Sequence, residues 1–90
     1  MLPVMAQAQS VAPEFPGIES TPGVCGGDPC VAGTRITVWL LEQAKRLGAT
    51  DANLLAWYPG LHAVDLANAW AFVASHGTEI EAAIRENEAS

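Results

Sequence analysis

Cys25 and Cys30 carry the most easily named chemistry in the chain: two thiols flanking the turn sequence Gly26-Gly27-Asp28-Pro29. Such a turn can bring them together as a redox-sensitive pair, or leave them as ordinary thiols in a reducing compartment. A zinc site would have to recruit His62 or His76 from distant positions, because there is no second cysteine pair. Neither histidine has a Ser, Cys or carboxylate at a spacing that suggests a catalytic triad, and Asp65 reads instead as the capping partner of His62. The chain reads as a non-enzyme, with no catalytic residues and no metal or cofactor.

Arg35 is the single base in the glycine-rich segment 17–37. Its guanidinium suits a phosphate or an acidic partner, or it can hold loop carbonyls with its fixed fork of donors. Gly26, Gly27 and Gly33 fit turns that need a positive φ, but no Gly-x-x-x-x-Gly-Lys phosphate cradle is present. The aromatic load is heavy for the length, with Trp39, Trp57 and Trp70 each at helical positions. Core packing is their ordinary role, and Trp39, Leu40, Trp57 and Trp70 are the candidates for a partner or dimer interface.

The elements that must position these groups are helical, after a short extended region. Residues 1–16 hold three of the six prolines and a single charge, Glu14, and read as a leader. Residues 17–90 read as one domain. Short β-branched pieces at Ile18 and Thr21, Val31, and Ile36 with Val38 predict one or two brief strands, which must pair with each other or with a second subunit. Thr37 then caps a helix to about Leu47 with the stripe Leu40, Leu41, Ala44 and Leu47, and Gly48 suits its exit. Thr50 or Asp51 opens a second helix through Leu54, Leu55 and Trp57, ended by Pro59 and Gly60. A third runs from near His62 to about His76, burying Leu66, Ala67, Trp70, Val73 and Ala74, with Gly77 closing it. Thr78 and Glu81 form a capping box for a fourth, carrying Ile80, Ala83 and Ile84. The fold class is therefore mainly α: a short N-terminal β element followed by a three- to four-helix, helix-turn-helix-like bundle.

Composition narrows the function. In 90 residues, 50% are apolar and 16% charged, enough for a globular domain but only a small core, so a partner subunit is expected to add stability. Ten acids against four bases give a net charge of −6, which argues against holding nucleic acid through its phosphates. Between Leu61 and Ser75, where a recognition helix would sit, there is no Lys or Arg, only His62 and Asn68 as donors. A protein partner with a basic surface fits the charge better. No apolar run approaches the ~20 residues of a membrane span, and the start lacks a secretory signal pattern, so a cytoplasmic location is expected.

The stretch from Pro22 to Leu61, continuing through the Asp65–His76 helix, resembles the bacterial family called domain of unknown function 433, over roughly residues 18–86. The resemblance rests on Gly26, Gly27 and Pro29; on Gly33, Thr34, Arg35 and Ile36; and on Tyr58, Pro59 and Leu61. It implies a small helix-turn-helix-like domain with an N-terminal β element. It also implies an antitoxin that binds and neutralises a PIN-like ribonuclease toxin. Asp28 and Ala32 stand where members commonly carry a base, which weakens a DNA-binding role. The function expected is thus that of an antitoxin-like protein-binding module, a homodimer joined through residues 18–38 or the first helix. The alternatives are a helix-turn-helix transcription regulator and an accessory subunit of a larger assembly.

Overall fold

The computed structural model describes residues 16–89 other than Val24, so the expected leader lies outside the described residues except for Pro16. Strand β1 (Ile18–Glu19) pairs antiparallel with β2 (Cys30–Val31), placing Ile18 opposite Val31 and Glu19 opposite Cys30. The two strands find each other within one chain. Helices follow at α1 (Val38–Arg46), α2 (Asp51–Trp57), α3 (Ala63–Ser75) and α4 (Gly77–Ala89). The mainly helical class and the N-terminal β element are as the sequence predicts.

A third strand at Ile36 and Val38 does not form. Thr37 makes a single bridge to Cys30, and Val38 is already the first residue of α1. The Thr37 side chain accepts from Leu40 N at 3.3 Å, as expected of a cap. Thr50 and Asn53 cap α2 reciprocally, with Asn53 N donating to Thr50 Oγ1 at 3.1 Å and Thr50 N to Asn53 Oδ1 at 3.0 Å. His62 N donates to Asp65 Oδ2 at 2.8 Å at the start of α3. The expected Thr78 cap is replaced, because α4 starts at Gly77, directly after His76, and Thr78 is already inside it. Gly77 has no left-handed φ and opens α4 instead of closing α3; Gly48, at φ 108°, does make the left-handed exit predicted for α1.

The core is wholly apolar, with no buried polar or charged residue among those described. Val38 and Leu41 of α1, Leu54 of α2, Leu66, Ala69 and Phe72 of α3, and Ile80 and Ile84 of α4 meet Ile18, Val31 and Leu61 there. Helix α1 packs on both α3 and α4, and β1 lies against α3. Three expectations of burial fail for one reason: each residue faces away from a neighbouring element. Leu47, beyond the last turn of α1, is 84% exposed. Ala67 and Ala74 are exposed, while Ala69 and Phe72, about 140–160° round α3 from them, are buried instead. An ion-pair chain ties α1 to α4 at the surface, with Arg46 reaching Glu42 at 3.0 Å and Glu81 at 2.8 Å. Hydrogen bonding to Arg46 holds the Glu81 carboxyl below its usual range. Glu81 is thereby an inter-helix tie in place of the capping partner expected.

Leu41 has no exposed surface, so truncating it leaves a cavity that helices α1, α3 and α4 cannot close without shifting. Leu41→Ala should therefore lower unfolding stability by about 2–5 kcal/mol in urea denaturation, whereas Leu47→Ala should cost well under 1 kcal/mol.

Candidate functional site

The glycine-rich segment is a hydrogen-bonded entry into α1. Cys25–Gly27 form a tight 3-10 turn in which Cys25 (φ 52°), Gly26 (65°) and Gly27 (86°) all lie in the left-handed region. That conformation is cheap for the two glycines and unusual for Cys25. Asp28 N closes the turn on Cys25 O at 3.1 Å, and Val38 N donates to Pro29 O at 3.0 Å, fastening the turn to the helix. Within Gly33-Thr34-Arg35-Ile36, Thr34 does the bonding that Arg35 was a candidate for. Its hydroxyl donates to Val31 O at 2.8 Å and accepts from Ile36 N at 3.0 Å. Arg35 is exposed, and no described carbonyl or carboxylate meets its guanidinium. In the second motif, Leu61 N donates to Tyr58 O at 2.8 Å across Pro59, burying Leu61 and placing Tyr58 against the core.

The two thiols are brought together. Both are free, and the Cys25 thiol, close enough to Cys30 to act on it electrostatically, donates to Arg35 O at 3.3 Å. Cys30 is buried in β2 and donates to Asp28 O at 3.3 Å. Burial first, then the Cys25 thiol and the carboxylates of Asp28 and Glu19, push the Cys30 thiol up from the usual 9.0 to about 12. The histidines stay apart from them: His62 faces solvent beside Asp65, and His76 stacks on Phe72 with ring centroids 4.0 Å apart. Among the described residues no three His, Cys, Asp or Glu side chains gather where they could hold a metal ion.

Two of the tryptophans are held in the same way. Trp39 donates its indole N–H to Asp28 Oδ2 at 3.0 Å, and Trp70 donates to Asp51 Oδ1 at 3.1 Å. Over the Trp70 ring sits the Lys45 ammonium, 4.6 Å from its centroid. Neither carboxylate stood out from sequence as a tryptophan partner, because the bonded pairs are separated by 11 and 19 positions and meet only through packing. Trp57 is different. It ends α2 with 59% of its surface exposed, and Val64, just across the 58–62 turn, is 63% exposed. Leu40 is half-buried on α1. Of the interface candidates, Trp57 presents the most free surface.

Helices α2 and α3 have the order of a helix-turn-helix, but the outward face of α3 is uncharged. Val64, Ala67, Ala71 and Ala74 recur at helical spacing along it, all exposed. Asn68, the one amide donor, is half-buried, and its Nδ2 lies so near Gly17 that a Cβ there would approach to 2.5 Å. Among the described residues no helix is long and apolar enough to cross a membrane.

Cys30 ties stability to pH. The unfolded chain releases its thiol proton near 9.0 and the folded chain holds it to about 12, so the unfolded state is favoured as pH rises through that window. The margin by which the wild-type chain exceeds Cys30→Ala in urea midpoint should therefore be constant below about pH 8 and shrink by about pH 11. An unchanged margin would contradict the burial of the thiol.

The comparisons with known proteins are consistent with this architecture. The family model described as "Protein of unknown function (DUF433)" matches residues 18–73, from β1 into the last turn of α3, leaving α4 outside the match. A crystal structure of a DUF433 member protein from Anabaena variabilis ATCC 29413 superposes with a TM-score of 0.75 at 45% identity. The match covers 77% of this chain and 68% of that one. No protein among those with curated descriptions matches. With the motif glycines, Pro29 and the Tyr58-Pro59 turn all within the matched span, this chain belongs to the DUF433 family.

Proposed function

We propose that the protein is a non-enzymatic, antitoxin-like binding module that neutralises a PIN-like ribonuclease toxin by covering it. The observations that support this most are the apolar outward face of α3 and the exposed Trp57 at the end of α2. A helix that ends its life in water normally turns charged residues outward, and this one turns Val64, Ala67, Ala71 and Ala74. Trp57 supplies the kind of exposed aromatic that anchors protein interfaces. A ribonuclease must carry a basic surface to hold RNA, and a chain of net charge −6 would meet it quickly. The antitoxin assignment itself extends the family resemblance to this chain. The same α3 face argues against the transcription-regulator reading, since it offers no Lys or Arg to phosphates or base edges.

The test is RNA cleavage by a purified PIN-like ribonuclease, measured with increasing amounts of the full chain. Stoichiometric inhibition is expected, weakened at least about tenfold by the double substitution Trp57→Glu with Val64→Glu. Absence of inhibition, or tight salt-sensitive binding of the isolated chain to duplex DNA, would defeat the reading. Self-association is the other half of the proposal. The exposed Leu47, Trp57 and Val64 give the free chain apolar surface to share with a second copy. Light scattering at high micromolar concentration should report a dimer; a monomer would count against it.

A further inference from the structure

Cys25 and Cys30 meet at the joint between the small sheet and α1. Asp28 N closes the turn on Cys25 O at 3.1 Å and the Cys30 thiol donates to Asp28 O at 3.3 Å, so both cysteines are hydrogen-bonded to one residue. Residues 35–37 run beside β2, with Val31 N donating to Ile36 O at 2.9 Å and Thr37 bridged to Cys30. The Cys25 thiol reaches that same segment, at Arg35 O. Both sulfurs therefore sit at one end of the sheet, near enough for the charge on one to act on the other.

Two observations separate their roles. Cys25 is partly exposed, whereas Cys30 keeps only 4% of its surface in contact with solvent. Cys25 is also the one described residue other than glycine with a left-handed φ, a conformation that costs energy with a side chain and collects at functional sites. Glycine would suit that position better, as it does at Gly26 and Gly27, so what Cys25 adds is its thiol.

We infer that Cys25 and Cys30 form a reversible disulfide by exchange with a small-molecule disulfide, Cys25 reacting first and Cys30 resolving it. In the first step the Cys25 thiolate attacks one sulfur of the small disulfide, whose S–S bond breaks, and one half leaves as a thiol with the proton Cys25 gave up. In the second the Cys30 sulfur attacks Cys25 Sγ, the mixed bond breaks, and the other half leaves with the Cys30 proton. Two protein thiols are oxidised to one disulfide and the small disulfide is reduced to two thiols. Burial holds the proton on Cys30, which makes the second step the slower one. Both S–H donors are lost, so Arg35 O and Asp28 O each give up a hydrogen bond, and the change falls on the joint that orients α1. The site is independent of the ribonuclease reading, because it concerns the free chain and a small oxidant.

The experiment exposes the reduced, folded full chain to bis(2-hydroxyethyl) disulfide at about pH 8 and follows intact mass with time. This probe is uncharged, so the nearby carboxylates of Asp28 and Glu19 do not repel it. The wild-type chain should pass through one mercaptoethanol adduct and end lighter by two hydrogens, with peptide mapping linking residues 25 and 30. Cys30→Ala should stop at the adduct on Cys25. Cys25→Ala should react at least about tenfold more slowly, because its remaining thiol is buried. An unchanged mass, a wild-type chain that keeps its adduct, a disulfide between two chains, or a link that forms only after urea unfolds the chain would each overturn the inference. So would reaction of folded Cys25→Ala at the wild-type rate. The wild-type result stands whether or not a variant folds, and circular dichroism identifies those that do.

Discussion

Burial of α1 along Val38 and Leu41 is the constraint from which the rest of the domain follows. Both side chains are without exposed surface, and the helix that carries them is the one against which both α3 and α4 pack. A chain of this size has room for one apolar core, so whatever places α1 places everything else. That placement is achieved by backbone bonds. The Cys25–Gly27 turn, the β1–β2 pair and the bond from Val38 N to Pro29 O bring the first residue of α1 directly off the small sheet. The motif residues of the family lie mostly in this joint: left-handed glycines, a buried proline and a threonine whose hydroxyl bonds both ways. Their role is to aim the helix.

Because the core has no polar residue among those described, electrostatics is left to the surface, and there it is organised in pairs that cross between elements. Asp28 and Asp51 each anchor an indole, Arg46 links α1 to α4, and Lys45 of α1 covers Trp70 of α3. Such exposed contacts are individually weak, but each one holds a large aromatic or a helix end in a single orientation. Asp28 belongs both to the turn and to these surface pairs: Asp28→Lys would leave the Trp39 indole without its acceptor.

The α3 helix sets the functional character of the opposite side. Its inner face fills the core with Leu66, Ala69 and Phe72, and its outer face is nearly as apolar, with Val64 and three alanines. A helix whose one charge is Asp65, spent in its first turn on His62, is poorly matched to water along the rest of its length and offers no cation to the phosphates of DNA. In the function proposed above, that face meets a partner's apolar surface, and the net negative charge of the chain acts at longer range on encounter.

Much of this was legible in the residues themselves, because it depends on local chemistry. Thr37 and Thr50 cap helices where a short polar side chain precedes a helical run, Asp65 reaches back to His62 N from the third position of α3, Gly48 ends α1 because glycine tolerates a φ of 108°, and the excess of acids is a property of composition alone. The errors have an equally physical origin. Thr78 and Glu81 have the spacing of a capping box, yet α4 starts one residue earlier and Arg46 competes for the same carboxylate from another helix. Ala67 and Ala74 share the apolar type of Ala69 and differ only in which side of α3 has a neighbour. Likewise Trp39, Trp57 and Trp70 are equivalent as residue types, and what separates an anchored indole from an exposed one is whether packing brings a carboxylate 11 or 19 positions away within hydrogen-bond reach. Sequence by itself determined the helices, their caps, the left-handed turns and the charge, all of which involve groups a few residues apart. Tertiary structure alone decided which apolar faces were covered and which thiols and tryptophans met which carboxylates, since those depend on distances between elements that no local pattern encodes.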